Sequence, residues 1–110
     1  MSLTENSFRQ IKNGTKTLEI RLFDEKRKIL EIGDLITFCC SDEKITVEIL
    51  GLSKFAHFID LFNALGGISA GWSDKDTPNQ MAQDLRKYYT QEEERKFGVL
   101  GIHIKTIARK

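Results

Sequence analysis

Between Thr17 and Leu22 apolar and polar side chains alternate one by one, Leu18, Ile20 and Leu22 against Thr17, Glu19 and Arg21. A β-strand imposes that period by sending successive side chains to opposite faces. Lys16 stands at the strand entrance, behind the turn signal Asn13-Gly14. The same period returns at Ile45, Val47 and Ile49 against Thr46, Glu48 and Leu50, and at Leu100, Ile102 and Ile104 against Gly101, His103 and Lys105. Leu35 to Cys40, after the turn signal Gly33-Asp34, is a mostly apolar strand. The polar loop Ser41-Asp42-Glu43-Lys44 makes it the antiparallel neighbour of the strand that begins at Ile45.

Elsewhere the spacing turns helical. Thr4 or Ser7 caps a short helix carrying Phe8 and Ile11, stopped by Asn13-Gly14. Phe58, Leu61, Phe62 and Leu65 fall at i, i+3, i+4 and i+7, which predicts a second helix capped by Ser53 and ended by Gly66-Gly67. Thr77-Pro78-Asn79-Gln80 is a capping box with proline at the first helical position, opening a helix through Met81, Leu85 and Tyr88. A second box, Thr90-Gln91-Glu92-Glu93, opens a fourth helix that closes at Phe97-Gly98. Ile68 to Asp76 has glycines, the single tryptophan and no period, so it reads as a long loop. The sum is an α+β fold: about five strands curled into a small mixed or antiparallel β-barrel with three or four surrounding helices.

At 110 residues this is one domain, residues 1–110, with room for a single modest core. Its formal net charge of +1, with acidic and basic residues interleaved, excludes a general polyanion magnet while leaving room for a local basic patch. No apolar run is long enough to cross a membrane and Met1 to Thr4 begins no signal peptide, so no membrane partner and a cytoplasmic location are expected. Cys39 and Cys40 are adjacent, and on a strand their side chains diverge, which argues against a disulfide between them. With only His57 and His103 as further soft ligands and no C-x-x-C spacing, no metal site and no cofactor are expected.

The chemistry concentrates where Lys16, Glu19 and Arg21 share one wall. Two readings stand side by side: a ligand-binding cleft, which needs a few convergent polar groups backed by core, or a charged edge strand whose ion pair is solvated. In the first, a desolvated lysine serves as base, a carboxylate orients an amine or a water, and a guanidinium holds a phosphate or carboxylate in bidentate fashion. The charged run Asp24-Glu25-Lys26-Arg27-Lys28 is a solvated loop or a basic rim to the same cleft. Trp72 is a plug over the barrel mouth or a surface on which a base stacks.

The run Phe8-x-x-Ile11-Lys12-x-Gly14-x-Lys16-Thr17-x-Glu19-x-Arg21-Leu22, with Asp24-x-Lys26-Arg27, Gly33-Asp34-x-Ile36-x-Phe38, Tyr88-Tyr89, Glu92-Glu93 and Phe97-Gly98-Val99-x-Gly101-Ile102, resembles the ASCH domain family over nearly the whole chain. That resemblance implies a PUA-like barrel and an RNA or nucleoside or nucleotide ligand in a cleft lined by Lys16, Thr17, Glu19 and Arg21, with Trp72 or Tyr88 stacking a base. One branch of the family consists of small amidohydrolases that deacetylate N4-acetylcytidine with a Lys, Thr and Glu set; others are described as ribonucleases. Lys16 matches the lysine of that set. The threonine position is occupied by Glu19, and the nearest acids to stand for the distant glutamate are Asp74 and Asp76. Two functions follow from this reading: an RNA- or nucleotide-binding module, or a small metal-free hydrolase with Lys16 and Glu19 as its catalytic pair.

Overall fold

The computed structural model describes residues 3–107. Helix α1 (Glu5–Lys12) leads into strand β1 (Leu18–Leu22), followed by β2 (Leu35–Cys40), β3 (Glu43–Phe55) and α2 (Phe58–Leu65). A 3-10 turn (Ile68–Ala70), α3 (Pro78–Asp84), a second 3-10 turn (Leu85–Lys87), α4 (Gln91–Phe97) and β4 (Val99–Thr106) complete the chain. The strands form one antiparallel sheet in the order β1-β4-β3-β2, curled into a half-barrel with four α-helices around it. The α+β reading therefore holds, with four strands among the described residues where about five were expected.

The four are those the sequence patterns located, and the one that departs most from its expected length is β3. The strand continues past Ile49 to Phe55 because the ladder with β4 absorbs an irregularity between Ile49 and Gly51, the local kink that a bulge introduces into a strand. Ser53 consequently lies inside the sheet, where its hydroxyl sits 2.9 Å from His103 Nε2, rather than capping α2. The N-terminus of α2 is satisfied from afar: Phe58 N–H donates to the Glu94 carboxylate of α4 at 2.6 Å. Sequence spacing found the apolar stripe of this helix but not its cap, because the cap comes from 36 residues away.

Both capping boxes form as their sequences predict. In α3 the Thr77 side chain accepts from Gln80 N–H while the Gln80 side chain accepts from Thr77 N–H, and Thr90 and Glu93 do the same for α4. Thr77→Ala is expected to lower stability by about 1 kcal/mol, the usual worth of such a cap, which a urea denaturation series would register.

The sheet buries apolar side chains on both faces. Phe8 and Ile11 of α1 close over Ile36, Phe38, Ile45, Val47, Ile49, Leu100, Ile102 and Ile104 on one face. On the other, Leu18, Ile20, Leu22 and Val99 pack against Phe58, Leu61 and Phe62 of α2 and Met81 of α3. The strand β1 thus has helices behind it, and its other face, opposite Leu100 and Ile102, carries Glu19 and Arg21. That side is the inner, α1-covered face of the half-barrel.

Candidate functional site

Three segments converge on the N-terminal half of β1. The turn after α1 is tied down by Thr15 and Lys16 N–H groups, both donating to Gln10 C=O, which swings Lys16 back under α1. Lys16 Nζ then lies 3.1 Å from Glu19 Oε1 and 3.3 Å from Ser7 Oγ. From the other side Arg21 Nη2 reaches Glu19 Oε2 at 2.9 Å. One carboxylate therefore accepts from two cations, and the group is largely withdrawn from water, with side-chain exposures of 8% for Lys16, 6% for Glu19 and 17% for Arg21. This is the reverse of a solvated edge.

The cluster forms the floor of a cleft of about 430 Å³, within the size range of small-molecule sites. Ser7 and Gln10 of α1 form one wall, Gly71 and Trp72 a second, and Asp84, Lys87, Tyr88 and Tyr89 the third. Among its lining residues three cations, Lys16, Arg21 and Lys87, face two carboxylates, Glu19 and Asp84. A net positive charge is left for a ligand.

The aromatic walls are held from behind. Trp72 Nε1 donates to Asp84 Oδ2 at 3.0 Å, and its ring meets Phe62 edge-on at a centroid distance of 5.2 Å. Gly67 permits this seat: a Cβ there would collide with the Met81 sulfur and lie 3.2 Å from Trp72 Cβ. Gly71, at φ 104°, turns the chain so that its C=O accepts from Gln10 Nε2, fastening the tryptophan loop to α1. Tyr89 stacks on Phe58 at 5.6 Å and its hydroxyl meets the Arg21 guanidinium, while Tyr88 stands exposed at the rim.

Burial pushes the Tyr89 phenol above its usual 10.0, with the Arg21 charge acting in the opposite sense. The sign of the linked effect follows. A phenol whose folded pKa is raised stays protonated in the folded state after the unfolded chain has ionised, so stability falls as pH rises from about 10 through the folded pKa. The slope approaches roughly 1.4 kcal/mol per pH unit in that window. Tyr89→Phe is expected to flatten this part of a stability–pH profile measured by urea denaturation between pH 9 and 12.

Of the residues the sequence singled out, Lys16, Glu19, Arg21, Trp72 and Tyr88 line the one cleft. Thr17 does not. Thr17 stands just before β1, its N–H donating to Ser69 C=O at 2.8 Å, and it borders a separate depression with Gly14, Leu50 and His103. Strand alternation was extended one residue too far, since β1 begins only at Leu18. Asp74 and Asp76 also lie away from the cleft lining, in a turn where Asp76 Oδ2 accepts from Ser73 N–H. Of the rim cations, Arg27 pairs with Asp24 at 2.9 Å and its charge reaches Tyr89. The sequence reading missed Ser7 as a partner of Lys16, Asp84 as the acid of the tryptophan, and Tyr89 as the inner ring. Ser7 carried no signal, because a cap-forming serine and a cleft serine look alike. Tyr89 carried one in the Tyr88-Tyr89 pair. Cys39 and Cys40 are free, half-buried thiols on β2, and the described residues contain no group of three or more residues able to hold a metal ion.

The family model for the ASCH domain matches residues 1–108. The chain belongs to the ASCH domain family. Its closely superposable relatives among solved structures include the hypothetical protein PH0355, at 30% identity and a TM-score of 0.88 over 97% of this chain and 96% of that one. The protein PF0455 from Pyrococcus furiosus matches at 28% identity and a TM-score of 0.79 over 99% and 96% of the two chains. A tyrosine-to-phenylalanine variant of ZmASCH from Zymomonas mobilis shares the fold at 14% identity and a TM-score of 0.63, over 97% of this chain and 72% of that one. A search of curated proteins found no match. The half-barrel is thus a PUA-like ASCH fold, and the cluster described above holds two of the buried charged side chains of this ASCH domain, Lys16 and Glu19.

Proposed function

We propose that this ASCH domain is a binding module that takes single-stranded RNA or a nucleotide into the cleft of Lys16, Glu19 and Arg21. The observation that carries the reading is a carboxylate buried between two cations on the floor of a cleft walled by fixed aromatic rings. Burying such ions costs stability, since desolvation commonly exceeds the gain of pairing, so a recognition role accounts for them better than a structural one. Glu19 orients the Lys16 ammonium and the Arg21 guanidinium, and their remaining N–H groups meet a phosphate or a base carbonyl. Trp72 and Tyr88 offer rings for stacking, which is worth about 1–3 kcal/mol per base. The ASCH resemblance to RNA-binding PUA modules supports the same assignment.

One contact favours the hydrolase reading. Ser7 Oγ lies 3.3 Å from Lys16 Nζ, and a hydroxyl beside an amine is the arrangement by which lysine activates a nucleophile. Against it stands the geometry, because Lys16 Nζ is shared with the Glu19 carboxylate at 3.1 Å as well as with Ser7 Oγ at 3.3 Å. The two readings part in a paired assay. Titration with labelled oligoribonucleotides of four to eight residues is expected to saturate, while incubation with N4-acetylcytidine is expected to release no cytidine above the buffer rate. Turnover abolished by Ser7→Ala would install the hydrolase in place of the binding module.

A further inference from the structure

The edge strand β1 contributes Ile20 to the cleft lining. β1 ends the sheet, so only one side of its backbone is paired with β4. Two bonds just beyond its ends decide which side: Ile104 N–H donates to Thr17 C=O at 2.9 Å, and Phe23 N–H donates to Gly98 C=O at 3.0 Å. In an antiparallel ladder alternate residues address the same neighbour, so 19, 21 and 23 turn toward β4, as the Thr17 C=O does. Leu18, Ile20 and Leu22 turn their N–H and C=O groups the other way. Of these three, only Ile20 lines the cleft. Among the described residues, no main-chain hydrogen bond outside the helices and strands involves it.

A donor and an acceptor side by side at the floor of a narrow site are unusual, because main-chain polar groups shielded from water are almost always paired. Ile20 is only 7% exposed. We propose that the Ile20 main chain pairs with the hydrogen-bonding edge of a nucleobase, an inference that rests on the nucleotide-binding reading above. Every base carries a donor and an acceptor next to one another on its Watson–Crick edge, and single-stranded RNA is read through such edges. The Ile20 N–H donates to the base acceptor and the Ile20 C=O accepts from the base donor. Lys16 and Arg21 on one side and Trp72 on the other then bracket the ligand. An extended peptide fits less well. The strand edge is stopped at Thr17, whose N–H is taken by Ser69 C=O. Leu18 and Leu22, each roughly 7 Å from Ile20 along the strand, do not line the cleft.

The test is amide hydrogen exchange by NMR on the whole chain, free and with each of the four nucleoside 5′-monophosphates and an eight-residue single-stranded RNA of mixed sequence. In the free protein the Ile20 amide is expected to exchange at least about tenfold faster than those of Glu19 and Arg21, which are bonded to β4. A bound nucleotide or RNA is expected to slow Ile20 by a similar factor and leave its neighbours nearly unchanged. Ile20→Pro removes the one N–H while sparing the bonds to β4, as proline does on an edge strand. It is expected to weaken binding roughly three- to tenfold relative to Ile20→Val. Should the proline variant fail to fold, the exchange experiment decides alone. Binding that shifts the Lys16 and Tyr89 resonances while Ile20 stays fast overturns this proposal and leaves the cleft reading intact. Absence of any binding overturns both. Protection that spreads to Leu18 and Leu22 with an added peptide, and not with nucleotides, assigns the edge to a strand and overturns the base.

Discussion

Glu19→Ala is expected to lower the stability of this domain by about 3–5 kcal/mol, the cost of leaving buried charge without its partner. Glu19 is the one carboxylate between Lys16 at 3.1 Å and Arg21 at 2.9 Å, and its removal leaves two cations facing each other in a site mostly closed to water. Against a total of roughly 5–15 kcal/mol for a domain of this kind, that is a large fraction. It should appear as a drop of about 15 °C or more in melting temperature. Replacing all three charges together, with Lys16→Met, Glu19→Leu and Arg21→Met, is expected to match or exceed the parent in stability, since no ion is then desolvated. The pair of results separates a cluster kept for ligand recognition from one that holds the fold. A loss below about 1 kcal/mol for Glu19→Ala, the size seen for solvated ion pairs, would show that the cleft floor is wetter than its geometry implies. Glu19→Gln should fall between, because the amide keeps the shape and one acceptor but not the charge.

How far the sequence reached depended on how local each cause is. Period-two alternation found Leu18, Ile20, Val47, Ile49, Leu100 and Ile102, and all six are buried, as are Ile36 and Phe38 of the mostly apolar strand β2. Both capping boxes were legible because their partners lie three residues apart. What escaped depends on partners far along the chain. Ser53 satisfies every local criterion for a cap, yet it pairs with His103, 50 residues away. The helix it was to cap takes its cap from Glu94, which also pairs with Arg86 and lies 3.7 Å from His57. In the same way the charged strand was visible, but whether its ions face water or a cleft could not be read from one strand. That outcome is set by α1 and by the loop around Trp72, which cover the inner face of β1 from either side. Lys16, at the strand entrance, lines the cleft as the sequence suggested, and Thr17 does not. Alternation fixes faces only within a strand, and β1 begins at Leu18.

Arg21→Ala and Lys16→Ala are each expected to weaken RNA binding by about ten- to a hundredfold, the worth of one charge-assisted contact of roughly 1.5–3 kcal/mol. Neither removal isolates a cation, because Glu19 keeps the other partner. Both variants should therefore stay folded where Glu19→Ala is strongly destabilised. The salt dependence then tells what each side chain touches. Each phosphate contact contributes about −0.7 to the slope of log affinity against log salt for a single strand. A variant whose slope falls by that amount has lost a phosphate contact. One whose affinity falls at an unchanged slope has lost a contact to a base. Arg21 is also tied to Tyr89, so Arg21→Lys, which keeps the charge but not the planar fork, is expected to recover the salt slope and only part of the affinity. If Lys16→Ala and Arg21→Ala both bind as the parent does, at every salt concentration and with stability unchanged, these side chains serve neither the ligand nor the fold. The ligand would then be sought against the rings of Trp72 and Tyr88, where alanine substitution should remove roughly 1–3 kcal/mol per stacked base.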